Sequence, residues 1–208
     1  RIGFILKGIV VGILVGFVVS LFRLGIEKIG EQVVHLYQTF HEKPFWMIPW
    51  FLFSLVLAYL LGRLIKSEPA IKGSGIPQVE GQLQGQLEIH WFPVLWKKFI
   101  GGILAISPGL FLGREGPSIQ LGAVVGQGYS QWRQSTKSEE KILISSGASA
   151  GLAAAFNAPI AGLLFVLEEV HHSFSPLVWL TSFSAAISAN FVSLHFFGLQ
   201  PVLYIGPV

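Results

Sequence analysis

The residues best suited to chemistry lie in a charged pentapeptide, Gly113-Arg114-Glu115-Gly116-Pro117, set between two strongly apolar runs. A carboxylate in hydrocarbon costs about 2.5 to 3.5 kcal/mol or more, so Glu115 should face protein or water and is a functional candidate. Pro117 suits the first turn of a helix, where its missing N–H would have no intrahelical partner. Such a helix directs free N–H groups and a positive dipole end at Glu115, or at an anion that displaces it. The pattern predicts an ion gate.

A second glycine-rich stretch, Lys72-Gly73-Ser74-Gly75-Ile76-Pro77-Gln78-Val79-Glu80-Gly81, has the same architecture. Its glycines allow close backbone approach, and Pro77 again predicts a helix start. Ser74 is either a plain N-cap or a hydroxyl that binds an anion together with free backbone amides, and the local sequence leaves both open. Interrupted helices that present their N-termini at membrane depth commonly form transporter binding sites. The candidate anion site comprises Ser74, Gly75, Ile76, Gly116 and Pro117.

Two further carboxylates, Glu168 and Glu169, close an apolar helix that begins near Pro159. One interpretation is a solvated helix terminus. The other is a proton relay with Glu115, in which one carboxylate exchanges protons with each side of the membrane and each is buried enough to hold a proton. The negative dipole end of a helix disfavours carboxylates, which indicates that something else keeps them there.

The remaining polar residues have plainer expected roles. Glu80, Lys98 and Arg114 are candidate buried charges, for which mutual pairing is expected. Asn157 is expected to cap the helix that Pro159 starts. His171 and His172 have no evident third ligand, so no metal site is expected.

Composition indicates a membrane protein. Of the 208 residues, 52% are hydrophobic and only 12% are charged, and the mean hydropathy is +0.63. Small residues repeat at the spacing of close membrane helix contacts in Gly122-xxx-Gly126, Gly147-xxx-Gly151 and Ala150-xxx-Ala154. Cysteine is absent, which excludes disulfides and thiolate metal sites. The basic residues cluster in loops and form no face for nucleic acid.

Apolar runs predict an all-α, polytopic membrane protein whose helices are broken and tilted. The first run is too long for a signal peptide, and no cleavage site follows it. The first two helices are expected to pair antiparallel. No enzyme is expected, because no nucleophile and base pair or cofactor loop is recognisable. The predicted helices cover 2–36, 45–65, 91–112, 117–132, 142–155, 159–169 and 177–197.

Loop charges predict the orientation, because cytoplasmic loops of membrane proteins carry an excess of Lys and Arg. With alternating spans, Glu168 and Glu169 lie toward the cytoplasmic side and Glu115 toward the outside. The basic residues expected on the cytoplasmic side are Arg1, Lys7, Arg63, Lys66, Lys72, Arg133, Lys137 and Lys141.

Three motifs in order resemble the signature stretches of CLC chloride channels and chloride/proton antiporters. They are 73–77, 113–117 and the run Gly151-Leu152-Ala153-Ala154-Ala155-Phe156-Asn157-Ala158-Pro159-Ile160-Ala161-Gly162. The resemblance implies that Ser74 coordinates the central chloride and that Glu115 is the external gating glutamate. It also implies that Glu169 is the internal proton-transfer group and that Glu168 helps protons reach it. Chloride is then the bound ligand, and no cofactor is expected.

The same resemblance implies an architecture for the whole protein. The family's membrane domain consists of two inverted halves, and residues 1–208 resemble the first, so the second repeat is expected outside this sequence. Tyr204 is no substitute for the tyrosine that the second half contributes. The family is homodimeric, with contacts on 159–169 and 177–197. Residues that could supply this surface, unless they face lipid, are Leu163, Leu164, Ile187 and Phe191.

The function that follows is chloride/proton antiport in the cell membrane, with chloride and protons as substrates and the lipid bilayer as surroundings. Glu169 favours an antiporter, because its presence is associated with antiporters in the family. Ser74 is typical of chloride-type members rather than fluoride- or nitrate-preferring ones. Two alternatives stay open: a passive voltage-gated-type chloride channel, and a non-transporting structural fragment.

Overall fold

The computed structural model describes residues 2–110, 112–170 and 175–198. Within these ranges the backbone is helical and contains no strand, which confirms the predicted all-α class. Two 3₁₀ turns, Pro44–Trp46 and Pro69–Ile71, precede α2 and α3, and a π-helical turn, Val166–Val170, follows α7. The helices are α1 (Ile2–Glu42), α2 (Met47–Ser67), α3 (Ile76–Leu83), α4 (Trp91–Ile106), α5 (Glu115–Trp132), α6 (Lys137–Phe156), α7 (Pro159–Phe165) and α8 (Pro176–Phe197).

Helices α5 and α6 pack antiparallel at the centre of the described chain, and their glycines allow the close contact. A Cβ on Gly122 would collide with the carbonyl oxygen of Gly147, and a Cβ on Gly147 would collide with that of Gly122. Gly126 packs in the same way on Leu143, and Gly151 on Ser118. The predicted small-residue contacts are therefore confirmed for both glycine pairs. The register places the N-terminus of α5 beside the C-terminus of α6.

Helix α8 runs alongside α1 in the same direction. Gly8, Gly12 and Gly16 of α1 lie against successive turns of α8, at Thr181, Ala185 and Ala189. Together with α5 and α6, these helices bury an aliphatic core of valine, alanine and leucine side chains. The core fixes the helices that carry the candidate site.

Helix α2 lies at the periphery. It contacts α1 mainly near their connection, where Tyr37 and Phe40 pack on Trp50 at centroid distances of 5.6 and 6.3 Å. The predicted antiparallel pairing along the two helices is therefore not found, and their packing is limited to this end. In the described part of the chain, three segments are long and apolar enough to cross a membrane, namely Ile2–Phe40, Pro44–Ser67 and Pro176–Phe197.

Helix α4 is shorter than its predicted span of 91–112. It ends at Ile106, because Pro108 has no N–H to continue the helical hydrogen bonds and Gly109 has φ 90°. Helix α6 begins earlier than 142, at Lys137, because the Thr136 side chain accepts a hydrogen bond from the Glu139 N–H and caps it.

Asn157 does not cap α7, contrary to the prediction. It ends α6 in the left-handed conformation, with φ 55° and ψ 36°, and Ala158 precedes α7 instead. Asparagine is one of the few residues that adopt this conformation at little cost. Its Oδ1 accepts a hydrogen bond from Ser193 Oγ at 3.1 Å, which ties the corner to α8.

Candidate functional site

The two predicted helix starts meet in space. Gly116, in the first turn of α5, packs directly on Ser74, so that a Cβ at position 116 would lie 2.6 Å from Ser74 Cβ and 2.8 Å from its carbonyl oxygen. Pro77 and Pro117 stand in the first turns of α3 and α5, as predicted. The free N–H groups of two helix N-termini are thereby brought to one place, where both favour an anion.

Glu115 lies at the edge of this arrangement. Its carboxylate lies against the backbone of Gly113, where an added Cβ would collide with Oε2. Among the described residues, no hydrogen-bond donor or cation partners this carboxylate. The side chain lines a cavity of about 570 Å³, which we call the Glu115 cavity. Residues that also line it include Gly73, Ser74, Ile76, Lys97, Lys98, Gly113, Gly116 and Pro117.

Ser74 is not the N-cap residue of α3. Gly75 occupies that position with φ 95°, and Ser74 lies one residue earlier. The Ser74 hydroxyl accepts from the Ile76 N–H at a long 3.4 Å, and the residue is exposed toward the Glu115 cavity. A hydroxyl in this position can still turn its hydrogen toward an anion, because the hydrogen of Ser Oγ rotates to suit its acceptor.

Gln120 supports the site, and sequence reasoning missed it. It is fully buried on α5, one turn beyond Gly116, and its Nε2 donates to the Ala70 carbonyl at 2.7 Å. Its side chain also fills the space beside Gly75, where a Cβ would lie 2.7 Å from Gln120 Cβ. Gln120 therefore holds the loop before α3 against α5. No local pattern reveals it, because the bond joins residues 50 positions apart.

Lys98 does not pair with a carboxylate, contrary to the prediction. Its ammonium group donates to the carbonyl oxygens of Ile71 at 2.9 Å and Gly73 at 2.7 Å. The residue is only 4% exposed, so these carbonyls replace the water that its charge loses on burial. Lys98 thus braces the same loop that Gln120 holds from the other side.

Arg114 is paired, as expected of a buried charge, but its partner was not predicted. Nη1 of Arg114 lies 3.2 Å from Oε1 of Glu27, and the same oxygen lies 2.7 Å from Nε of Arg23. Glu80 accepts from Gln84 Nε2 at 3.1 Å on its own helix. The prediction that Glu80, Lys98 and Arg114 pair with one another is therefore wrong.

Glu168 and Glu169 lie in the π-helical turn after α7, and both are exposed. Their exposure agrees with the interpretation as a solvated helix terminus, because Val166, Leu167 and Val170 turn toward the core and leave the glutamates outside. The proton relay stays a prediction. Single π-helical turns occur often at functional sites. The turn presents both carboxylates on one exposed face.

The exposed faces of α7 and α8 carry apolar side chains. Leu164 is 54% exposed, Ile187 46% and Phe191 74%. Leu163 is buried at 3% and packs with Leu167 and Val178, so its assignment to a contact surface is wrong. His171, His172 and Tyr204 lie outside the described residues.

Comparisons with known proteins agree with this architecture. The family model for voltage gated chloride channels matches residues 53–208. The H(+)/Cl(-) exchange transporter ClcA of Vibrio cholerae serotype O1 is 38% identical over 170 residues, which cover 80% of this chain and 36% of that protein.

Solved structures give the same result. A slow cyanobacterial Cl⁻/H⁺ antiporter superposes with a TM-score of 0.87 at 32% identity, over 97% of this chain and 48% of that one. A CLC-type fluoride/proton antiporter superposes with a TM-score of 0.74 at 24% identity, over 99% of this chain and 49% of that one, and shows the fold alone. The chain thus spans less than half the length of these relatives.

Long apolar helices, broken at a point where two helix N-termini meet a carboxylate, define an integral membrane protein of the ion-transport class. More particularly, the chain belongs to the voltage gated chloride channel family, the CLC family, and has the fold of one half of its membrane domain.

Proposed function

We propose that the protein containing this chain is a chloride/proton antiporter. The observation that carries the proposal is the convergence of the α3 and α5 N-termini on one cavity that also contains the Glu115 carboxylate. Similar proteins are named as an H(+)/Cl(-) exchange transporter and a Cl⁻/H⁺ antiporter. Chloride binds at Ser74, Gly75, Ile76, Gly116 and Pro117. The main donors are backbone N–H groups, which Pro117 lacks, rather than fixed cations.

The gate works by competition for the positive helix ends. Deprotonated Glu115 is attracted to the N-terminus of α5, as chloride is, and the two anions exclude each other there. When Glu115 takes up a proton, this attraction weakens and the carboxyl group leaves the site. Chloride then occupies the site, and loss of the proton returns the carboxylate. One site serves the two ions in turn, so their fluxes are coupled.

The inner end of the proton route lies at the π-helical turn. Glu169 takes up protons on the cytoplasmic side and passes them toward Glu115, and Glu168 beside it helps to collect them. Both carboxylates are exposed on the described chain, which suits groups that exchange protons with water.

The remaining parts of the proposal concern the assembled protein. The chain is the first of two inverted repeats, and the second repeat completes the permeation path. The exposed faces of α7 and α8 form a homodimer contact through Leu164, Ile187 and Phe191. The protein acts in the plasma membrane, with Glu115 toward the outside.

Transport in liposomes tests the proposal. The complete polypeptide should move protons uphill when a chloride gradient drives it. Glu169→Gln should abolish proton movement and leave chloride movement intact, because glutamine has the shape of glutamate but takes up no proton. Glu88→Gln, at an exposed glutamate that does not line the Glu115 cavity, should retain both fluxes and serves as the control. Continued proton pumping by Glu169→Gln would remove Glu169 from the mechanism.

A passive chloride channel is the second candidate, favoured by the family model, whose description is a voltage gated chloride channel. The reversal potential decides between them. In a channel it follows the chloride gradient alone, whereas in an antiporter it also shifts when a pH gradient is imposed.

A further inference from the structure

One carboxylate that the proposed mechanism does not use, Glu27 of α1, reaches the residue next to the gate. Its Oε1 accepts from Arg23 Nε at 2.7 Å and from Arg114 Nη1 at 3.2 Å. Arg23 is fixed in turn, because its guanidinium lies 3.8 Å from the centroid of the Phe197 ring and its side chain is only 10% exposed. The carboxylate therefore stands between two guanidinium groups, one of them anchored to α8.

Arg114 and Glu115 are neighbours in sequence, but their side chains diverge. Glu115 lines the Glu115 cavity, whereas Arg114 does not and points toward α1. Within the described part of the chain, Arg114 has its ion pair with Glu27, and the Glu115 carboxylate has none. The cation closest to the gate in sequence is thus held on the other side of the α5 N-terminus.

The two lysines that line the Glu115 cavity are already engaged. Lys98 is held by two carbonyl groups, and Lys97 donates to the Ser67 carbonyl at 3.4 Å. The α6 charges pack beside the far end of α5, because the two helices are antiparallel. Among the described side chains, the charged groups and histidines on the neighbouring elements are Lys7, Arg23, Glu27, Lys28, Glu31 and His35 on α1, Arg63 and Lys66 on α2, Glu68 and Lys72 before α3, Glu80 on α3, Lys97 and Lys98 on α4, and Lys137, Glu139, Glu140 and Lys141 on α6.

We propose that Glu27 is a positioning residue of the gate: it holds the Arg114 guanidinium against α1, away from Glu115, so that the Glu115 carboxylate remains free to take up a proton and leave the anion site. The inference rests on the proposed function, because it concerns the same gate. Glu27 acts through Arg114 and touches neither chloride nor the transferred proton.

This role predicts how removal of the Glu27 charge changes the pH midpoint of coupled transport. Without the Glu27 carboxylate, Arg114 can turn toward Glu115. An adjacent opposite charge favours the ionised carboxylate, typically by about one to three pH units for an arginine and carboxylate pair. Protonation of the gate then requires a more acidic solution, and the pH midpoint of coupled transport moves to lower pH.

The test is a double-mutant cycle on the complete polypeptide in liposomes, with chloride-driven proton transport measured across a pH series. We expect Glu27→Gln to lower the midpoint by about one pH unit. In an Arg114→Gln background the same substitution should have little effect, because the cation that Glu27 restrains is gone. Glu31→Gln, one turn further along α1, removes an equal charge at an exposed position and should leave the midpoint unchanged.

A shift of equal size in both backgrounds would overturn the inference, because it would show a direct effect of the Glu27 charge on Glu115. An unchanged midpoint in Glu27→Gln would overturn it as well. Glu27→Asp keeps the charge but shortens the reach toward Arg114, and it provides a conservative second variant if Glu27→Gln does not fold. It should shift the midpoint in the same direction by a smaller amount, and a midpoint equal to that of the wild type would contradict the role. Absence of coupled transport in the wild type would instead refute the proposed function.

Discussion

The two ends of the proposed proton route differ in how the chain holds their carboxylates. Glu115 stands at the start of α5, a helix buried along most of its length and packed on the loop before α3. Glu168 and Glu169 stand on an exposed π-helical turn. The difference indicates that close backbone contacts determine the geometry around Glu115. The inner end has no such contacts, and its proposed role depends on the glutamate side chains alone. Substitutions at the gate should therefore change stability and anion binding together, and those at the inner end should change proton transfer only.

The largest effect is expected for Gly116→Ala. The added Cβ would lie 2.6 Å from Ser74 Cβ and force the two helix N-termini apart. We expect a loss of about 1–3 kcal/mol in unfolding free energy, as for overpacked cores, and chloride binding weakened by about tenfold or more. Thermal unfolding in detergent and calorimetric chloride titration of the complete polypeptide measure the two effects.

Gly62→Ala is the matched control, because a Cβ there meets nothing within 4 Å. It should leave chloride binding unchanged and raise helix stability by about 0.5–1 kcal/mol. Equal behaviour of the two variants would mean that the contact between Gly116 and Ser74 does not shape the anion site.

A smaller effect at the gate is expected for Gln120→Met. This substitution keeps most of the side-chain volume but removes the hydrogen bond to Ala70. The lost bond contributes about 1 kcal/mol, so chloride affinity should fall by about fivefold as the loop before α3 loosens. Chloride titration checks the affinity, and the ratio of proton to chloride transport should not change.

Gln127→Met separates anion binding from general stability. Gln127 makes a bond of the same kind, to the Ile89 carbonyl at 2.7 Å, but this carbonyl lies after α3 and not in the loop that Gln120 holds. Its loss should lower stability and leave chloride affinity unchanged. If both variants weakened chloride binding equally, Gln120 would have no particular role at the site.

The smallest effect is expected at the inner end, for Glu168→Gln. An exposed charge interacts with a neighbouring charge by only about 0.2–1 kcal/mol. Proton transport should therefore slow by about two- to threefold. Chloride affinity and unfolding temperature should stay at wild-type values. A change in either would contradict the separation of the two ends.

The sequence was sufficient to predict the elements of the gate, because each depends on local chemistry. Pro77 and Pro117 start helices, and the close approach predicted for the 73–75 glycines is found at Gly75, against Gln120, but not at Gly73. The spacing of Gly122 and Gly147 predicted small-residue contacts, although not which helices they join. These features can be predicted from sequence because proline fixes φ and removes an N–H, and glycine lacks the Cβ that would prevent close approach, wherever they occur.

The supporting contacts could not be predicted, because they join distant residues. Glu27 and Arg114 are 87 positions apart, and nothing in the 113–117 stretch indicates which acid pairs with its arginine. The exposure of Glu169 also depends on tertiary packing, which turns Val166 and Val170 inward. Local patterns therefore predicted the helix starts of the candidate site, and not the contacts that hold them together.

The central claim is that Glu115 and chloride compete for the same helix N-termini, and chloride titration of Glu115→Ala tests it most directly. If the carboxylate occupies the site about nine-tenths of the time, its removal should tighten chloride binding by about tenfold. Wild-type affinity should also weaken as the pH rises and Glu115 ionises, whereas the variant should show no such dependence. Chloride affinity that is unchanged or weaker in Glu115→Ala, with the pH dependence retained, would contradict the account.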